Sequence, residues 1–328
     1  MIKNNKRMRS SPTRRRTLQL GSAGLVAGAA GCLGNGPPEG TLDFERLDRI
    51  NETKLPDRKR YRTEDTTTFP EYRRYNANNV KTAVILIHPA GFDSQLLQPL
   101  ATTIANSNAA HVFTPDLRGH GPDPEERGDI GYIGQYEDDL SSLIQSVELA
   151  YPDAKVVVGG HGTGGGIVVR FASSRYGSLA DGYLLLAPYL GPDSDTTREA
   201  LGGWANFYMD RIVMLRVLTG FGYEKYSDMT TVEFDMPQEV RNGNETLAHS
   251  YRLMESYTPP EDAVESMADI PCLTVAGTSD ETAYSDAYES VLADHPNATV
   301  DLVDGATHLD LAVTDMAVEP MVDWLREI

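Results

Sequence analysis

Cysteine is scarce in this sequence of 328 residues, since Cys32 and Cys272 are the only two. At most one disulfide can form within the chain, which excludes the disulfide-rich class of small secreted proteins. Cys272 lies in an apolar run and is predicted to be a small buried residue of the core. The two cysteines are therefore expected to serve different purposes.

The sequence also lacks a long hydrophobic run. The apolar stretch Leu18–Gly31 is too short and too weakly apolar for a convincing membrane-spanning helix. Residues 1–31 carry seven basic side chains and no acidic one, and basic, apolar and small residues follow one another in the order of an export signal. The run TRRRTL at 13–18 resembles the twin-arginine export motif. Residues 1–31 are predicted to be a twin-arginine-type signal peptide, and the alternative is a basic tail.

Four residues at the end of this segment, Ala29-Ala30-Gly31-Cys32, resemble a lipobox, in which small residues precede the cysteine that receives lipid. Cys32 is therefore predicted to be the site of lipid attachment, and the alternative is an incidental cysteine. The predicted location is the outer face of the cell membrane, with the lipid on Cys32 as the membrane contact. Residues 32–58 begin with a stretch rich in glycine and proline and are predicted to be a tether.

Basic residues become scarce once the signal is set aside. From Cys32 onward the chain has 22 basic and 48 acidic residues, which is a net charge of −26, and only five of the basic residues are lysine. Such a surface repels itself at low salt, and concentrated salt screens the repulsion. This balance indicates a salt-adapted, haloarchaeal-type protein, and the alternative is an acidic patch for a cationic partner. It argues against nucleic-acid binding, which needs a basic surface.

Cofactor-binding patterns are missing as well. We find no metal-ligand cluster, phosphate-binding loop or internal repeat, and predict neither a cofactor nor a metal. What the sequence does contain, from about residue 60, is an alternation of strand and helix patterns. Val80–Pro89 is a continuous apolar run typical of a strand buried on both faces. Alternation of this kind predicts an α/β fold with a doubly wound, mostly parallel sheet.

The alternation breaks at residues 190–266, which are predicted to be helical, and it resumes afterwards. The core is therefore predicted in two parts, 59–189 and 267–328. An insertion between sheet strands is typical of a cap over a binding site. The alternative is a second packing layer without a pocket.

The sharpest motif is VVVGGHGTGGG at 156–166. A strand, a tight glycine turn and a helix form the context of the nucleophile elbow G-x-S-x-G, whose serine sits at strained, positive φ. Here the middle position is Gly162, which adopts that conformation without strain and carries no oxygen that could attack. The motif predicts an elbow that has kept its shape and lost its nucleophile.

Residues 60–328 resemble the α/β-hydrolase superfamily with a helical cap. Within it the sequence is most similar to the lysophospholipase and monoacylglycerol-lipase-like group, also described as serine aminopeptidase S33 domains. Six motifs in the order of the family carry this resemblance, and they are LIHPAG (86–91), PDLRGHG (115–121), GGHGTGGG (159–166), LLLAPYLGPDS (184–194), AGTSDE (276–281) and GATHLDL (305–311).

The resemblance implies roles for single residues. The acid of the triad matches Asp280, with the neighbouring Glu281 as an alternative, and the base matches His308. The oxyanion hole would use the backbone N–H groups of Ala90 and Thr163. Two departures from the family pattern are the missing serine at Gly162 and a proline in place of the glycine after His88. The Thr163 hydroxyl is expected to point along its helix, away from His308, and not to substitute as the nucleophile.

Three functional hypotheses follow from this pattern. The first is a pseudo-hydrolase that binds a small-molecule acyl ester or lipid, with weak or no acyl-enzyme catalysis. The second is a slow hydrolase in which His308 and Asp280 activate a water molecule. The third is a recent or artificial Ser→Gly change in an otherwise active carboxyl-ester hydrolase. The sequence leaves the ligand and the oligomeric state open.

Overall fold

The computed structural model describes residues 42–47, 50, 54–63, 69–267 and 269–328. The predicted signal peptide, Cys32 and the predicted tether before Leu42 lie outside the described residues. All described residues belong to one compact unit, which extends from Pro38 to Ile328. Within the described part of the chain, no helix is long and apolar enough to cross a membrane.

An eight-stranded sheet forms the centre of the molecule. Its spatial order is β1-β2-β4-β3-β5-β6-β10-β11. Strands β3, β4, β5, β6, β10 and β11 are mutually parallel, whereas β1 and β2 add an antiparallel edge. The bounds of these strands are β1 Lys59–Arg60, β2 Glu71–Tyr75, β3 Thr82–Ile87, β4 His111–Pro115, β5 Lys155–His161, β6 Gly182–Leu186, β10 Cys272–Gly277 and β11 Ala298–Val303.

The prediction of a mostly parallel sheet is therefore confirmed. Every residue of β3 is buried, as its continuous apolar run predicts. The thiol of Cys272 is buried at the start of β10, where burial raises its pKa to about 12, so the prediction of a core cysteine is confirmed. Helices connect the strands on both faces, and they are α1 Gln98–Asn106, α2 Gln135–Ala150, α3 Thr163–Ala172, α6 Tyr288–Val291, α7 Asp310–Val313 and α8 Val318–Glu327.

The insertion between β6 and β10 contains more strand than predicted. Its helices are α4 Met209–Gly220 and α5 Tyr251–Tyr257. Beside them, β7 Ala205–Phe207, β8 Thr230–Phe234 and β9 Ala248–Ser250 form a small antiparallel sheet. Two of these strands have three residues each, which is too short to give a period-two pattern in the sequence.

Candidate active site

The elbow is built by the contact between β5 and α3. A Cβ atom on Gly160 would lie 2.3 Å from the carbonyl oxygen of Gly164, so that side chains here would push strand and helix apart. Gly162 stands between them with φ 55° and ψ −119°, and its N–H donates to the carbonyl of Leu186 on the neighbouring strand. The structure thus forms the strained turn of a nucleophile elbow around a glycine.

The position of a side chain at Gly162 is taken up in part by its neighbours. A Cβ atom there would lie 3.0 Å from His308 Nε2 and 3.3 Å from Pro89 Cβ. Both distances are shorter than ordinary van der Waals contact. His308 therefore faces the Cβ position of Gly162 and stands a few tenths of an ångström closer to the elbow than a side chain there would allow.

Asp280 contacts His308 on the other side of the imidazole ring. Its Oδ2 lies 2.8 Å from His308 Nδ1, and its Oδ1 accepts hydrogen bonds from the backbone N–H of Thr282 and of Ala283. Burial alone would raise the pKa of Asp280, but His308 and the hydrogen bonds from Thr282 hold it below its usual value. Burial alone would lower the pKa of His308, but the attraction of Asp280, its hydrogen bond and Glu281 together raise it.

Glu281, the alternative acid, has a different position. Its Oε2 accepts from the backbone N–H of His308 at 2.9 Å, and its Oε1 accepts from the backbone N–H of Asp43, also at 2.9 Å. Glu281 thus holds the backbone of the His308 loop and leaves the ring to Asp280. Burial raises the pKa of Glu281.

His161 supports the imidazole of His308 from behind. The two rings stack with centroids 4.4 Å apart, and His161 Nε2 lies 3.0 Å from the carbonyl oxygen of His308. Burial, and then the nearby His308, lower the pKa of His161 well below its usual value, so its ring is neutral at neutral pH. His161 and His308 are separated by 147 positions, and no motif of the sequence predicts the contact between them.

The two N–H groups that the resemblance assigns to an oxyanion hole differ in their surroundings. Thr163 is the first residue of α3, so its N–H has no acceptor within the helix. The N–H of Ala90 donates to the hydroxyl of Thr163 at 2.6 Å. An oxyanion at this place would have to compete with Thr163 for the Ala90 donor.

The loop that carries Ala90 is fixed by His88. The N–H of Leu117 donates to His88 Nε2 at 3.2 Å, so Nδ1 carries the proton and donates to the carbonyl of Pro89 at 2.9 Å. Burial lowers the pKa of His88, which agrees with a neutral ring. The loop is therefore held rigid although its proline has no N–H to contribute.

A small pocket opens at this site, with about 30 Å³ of free space inside it. This space is enough for about two water molecules, and a larger ligand would have to displace side chains of the lining. Besides Gly162, Thr163 and His308, its lining is largely apolar and includes Leu42, Phe92, Leu201, Trp204 and Leu309. Among the described residues no three or more histidine, cysteine or acidic side chains are arranged to hold a metal ion.

Comparison with known proteins gives monoglyceride lipases as relatives by sequence. Human monoglyceride lipase is 30% identical over 123 residues, which cover 37% of this chain and 40% of that protein, less than two thirds of its length. Rat monoglyceride lipase is 23% identical over 234 residues, which cover 70% of this chain and 76% of that protein.

Solved structures show the same fold. The soluble variant of monoglyceride lipase from Saccharomyces cerevisiae, in complex with a substrate analog, superposes with a TM-score of 0.67 at 16% identity and covers 84% of this chain and 96% of that one. The monoacylglycerol lipase of Paleococcus ferrophilus superposes with a TM-score of 0.57 at 16% identity. The match covers 79% of this chain and 98% of that one. The predicted α/β-hydrolase fold is confirmed. Residues 78–312 match the family described as serine aminopeptidase, S33, and the chain belongs to that family.

Proposed function

We propose that this protein binds an acyl ester or a related lipid in the pocket beside Gly162, and that it catalyses acyl transfer weakly or not at all. The observation that carries the proposal is the aligned pair of Asp280 and His308, which faces a glycine at the nucleophile position of an apolar pocket. A base and its orienting acid face this position, and Gly162 offers them no side-chain hydroxyl to activate.

The missing serine limits the rate that the protein can reach. The groups of a triad act as a unit, so its loss leaves about 10³–10⁴-fold acceleration over water from the oxyanion hole and substrate binding. The relatives named monoglyceride lipase support an acyl ester as the ligand class.

A second candidate is slow hydrolysis by an activated water molecule. The Nε2 atom of His308 faces the elbow, where Gly162 has no side chain to receive or supply a proton. A water molecule bound between them would lose its proton to His308, whose imidazole Asp280 orients. General-base assistance of this kind contributes about 10²–10⁴-fold.

The test uses the full chain with Cys32→Ser, purified in molar salt, beside the same chain with Gly162→Ser. Both are assayed with short and medium acyl esters and with a fluorophosphonate probe, and Gly162→Ala controls for the added side chain. We expect only the serine variant to hydrolyse esters and to bind the probe covalently. Turnover by the parent protein that His308→Ala abolishes would instead support the activated water. A serine variant that neither turns over nor reacts with the probe would contradict the proposed site.

We also propose that the protein is exported and held at the outer face of the cell membrane by a lipid on Cys32. The basic, apolar and small residues of positions 1–31, followed by cysteine, support this location. Expression in a salt-adapted host should place the protein in the membrane fraction, and Cys32→Ser should release it. Cys272→Ser, a change at the buried cysteine, is the matched control and should leave the protein in the membrane fraction. A Cys32→Ser protein that stays in the membrane would contradict lipidation.

A further inference from the structure

The segment that enters the core from the N-terminal side passes directly over the candidate site. Residues 42–47, which we name the N-terminal strap, fall within the stretch that the sequence predicts to be a tether. Leu42 is buried, with 5% of its surface exposed, and lines the pocket together with Gly162 and His308. A solvated linker would not place an apolar side chain against the base of a triad.

Three further contacts fix the strap to three parts of the site. The ring of Phe44 lies 5.5 Å from that of Trp204, a cap residue that lines the pocket. The N–H of Asp43 donates to Glu281, the residue that also holds the backbone of His308. Arg46 forms an ion pair of 3.0 Å with the buried carboxylate of Asp310, at the start of α7. The strap is therefore joined to the cap, to the acid loop and to the helix after the base.

We propose that the N-terminal strap is a wall of the ligand pocket, and that Leu42 and Phe44 limit the size of the acyl group that the pocket accepts. The inference rests on the proposed function. Leu42 closes the pocket directly. Phe44 acts through Trp204, which it holds against Phe92 in a stack with centroids 6.1 Å apart.

The strap contains its own matched control. Leu47 is also buried, with 9% of its surface exposed, but it lines a neighbouring pocket, together with Leu96 and Met236, that shares Phe92 with the ligand pocket. Leu42→Ala and Leu47→Ala remove the same atoms from the same segment. Only the first of these changes removes atoms from the lining of the ligand pocket.

The first measurement needs no ligand. The protein has two tryptophans, so Trp324→Phe in the full chain with Cys32→Ser leaves Trp204 as the only fluorophore of its kind. Trp204 is buried, with 6% of its surface exposed. Quenching of its fluorescence by acrylamide should increase with Leu42→Ala and with Phe44→Ala and should stay at the parent value with Leu47→Ala. Equal quenching in all four proteins, or an equal rise with Leu47→Ala, would overturn the proposal.

The second measurement uses 1-O-alkylglycerol ethers of graded chain length, which resemble acylglycerols and cannot be hydrolysed at an ester. Leu42→Ala should move the tightest binding to longer chains, and each methylene that enters the freed space should lower Kd about fourfold. Leu42→Phe should move it to shorter chains, which keeps the test decisive if the alanine variant does not fold. Leu47→Ala should keep the chain-length preference of the parent.

The two ways of failing can be told apart. An unchanged chain-length preference in proteins that do bind the ethers overturns the role of the strap and leaves the proposed function standing. Failure of the parent and of every variant to bind any ether overturns the proposed function, and the assignment of the strap as an acyl-group wall falls with it.

Discussion

At Gly162 the backbone adopts a conformation that serine tolerates only under strain. With φ 55° and a Cβ position 3.0 Å from His308 Nε2, glycine relieves both the backbone strain and the contact with the imidazole. A hydrolase accepts this strain because the serine does chemistry. In this protein a glycine forms the turn without that strain, and it carries no side chain that could react.

The first prediction concerns the stability that glycine provides here. Gly162→Ala should lower the free energy of unfolding by about 1–3 kcal/mol, measured by denaturant titration in molar salt. Gly222→Ala is the control, because Gly222 also has positive φ, 81°, but a Cβ atom there meets nothing within 4 Å. The loss at Gly162 should exceed the loss at Gly222 by the cost of displacing His308. Equal losses would show that the contact with His308 costs nothing.

The second prediction concerns pH. His308 must be neutral to accept a proton, and the attraction of Asp280 raises its pKa. In the Gly162→Ser variant, kcat/KM for a short acyl ester should therefore rise with pH to a plateau. The midpoint of the rise should lie above about 6.5, the usual pKa of histidine. Adding Asp280→Asn removes the negative charge, so the rise should move to lower pH while the plateau falls.

Glu281→Gln separates the two acidic residues in this pH profile. Glu281 contacts the backbone of His308 and not its ring. Its charge should therefore move the profile less than the charge of Asp280 does. An equal or larger shift from Glu281→Gln would contradict the assignment of Asp280 as the orienting acid.

At the scale of elements, the start of α3 and the loop after β3 meet through one hydrogen bond. The hydroxyl of Thr163 accepts the N–H of Ala90, the same N–H that the resemblance assigns to an oxyanion. An N–H group that already has an acceptor must exchange it during the reaction. The site therefore differs from the expected pattern at two positions, the nucleophile and the hole.

The third prediction follows from this contact. In the Gly162→Ser background, Thr163→Ala should free the Ala90 donor and raise kcat for a short acyl ester. The hydrogen bond contributes about 0.5–1.5 kcal/mol, so the expected rise is about two- to tenfold. Thr163→Ser keeps a hydroxyl at this position and should leave kcat near that of the background. A fall in kcat with Thr163→Ala would show that the hydroxyl itself assists the reaction.

The sequence predicted the strands that are buried on both faces and missed the antiparallel edge and the short strands of the insertion. Strands such as β3 and β10 carry continuous apolar runs, since helices cover both of their sides. Strand β2 reads EYRRY and is half-buried at the antiparallel edge, so it shows no such run. The strands β7 and β9 of the cap are too short for any period to appear.

Some residues of the site could be predicted from the sequence, and the contacts that support them could not. Gly162, Asp280 and His308 follow strand ends in the order of the family, so motifs and chain order are enough to bring them together in a prediction. The support around them was not predictable in this way. Asp43 and Glu281 are separated by 238 positions, and their contact arises only because the N-terminal strap folds back over the site. A composition rich in glycine and proline just before the strap indicates a tether. That interpretation gives no reason to expect Leu42 and Phe44 to pack against the core.

The whole molecule combines a compact core with a large excess of negative charge. From Cys32 onward the net charge is −26, and arginine is the cation in most side-chain ion pairs of the described residues. Most of the acidic residues therefore have no basic partner to offset them, and their mutual repulsion opposes the compact state.

The fourth prediction is that salt stabilises this fold by screening. Between 0.1 M and 1 M salt the Debye length falls from about 10 Å to about 3 Å, so Tm of the chain with Cys32→Ser should rise by several degrees. Each kcal/mol of repulsion that is relieved corresponds to about 2–4 °C in a chain of this size.

Glu261→Gln together with Asp262→Asn removes two adjacent exposed charges, which should raise Tm at low salt and flatten its dependence on salt. Sucrose stabilises proteins without screening charges. The difference in Tm between the double variant and its parent should therefore persist in sucrose and vanish in concentrated salt. A difference that persists in both solutes would show that repulsion between the acidic residues is not what opposes folding at low salt.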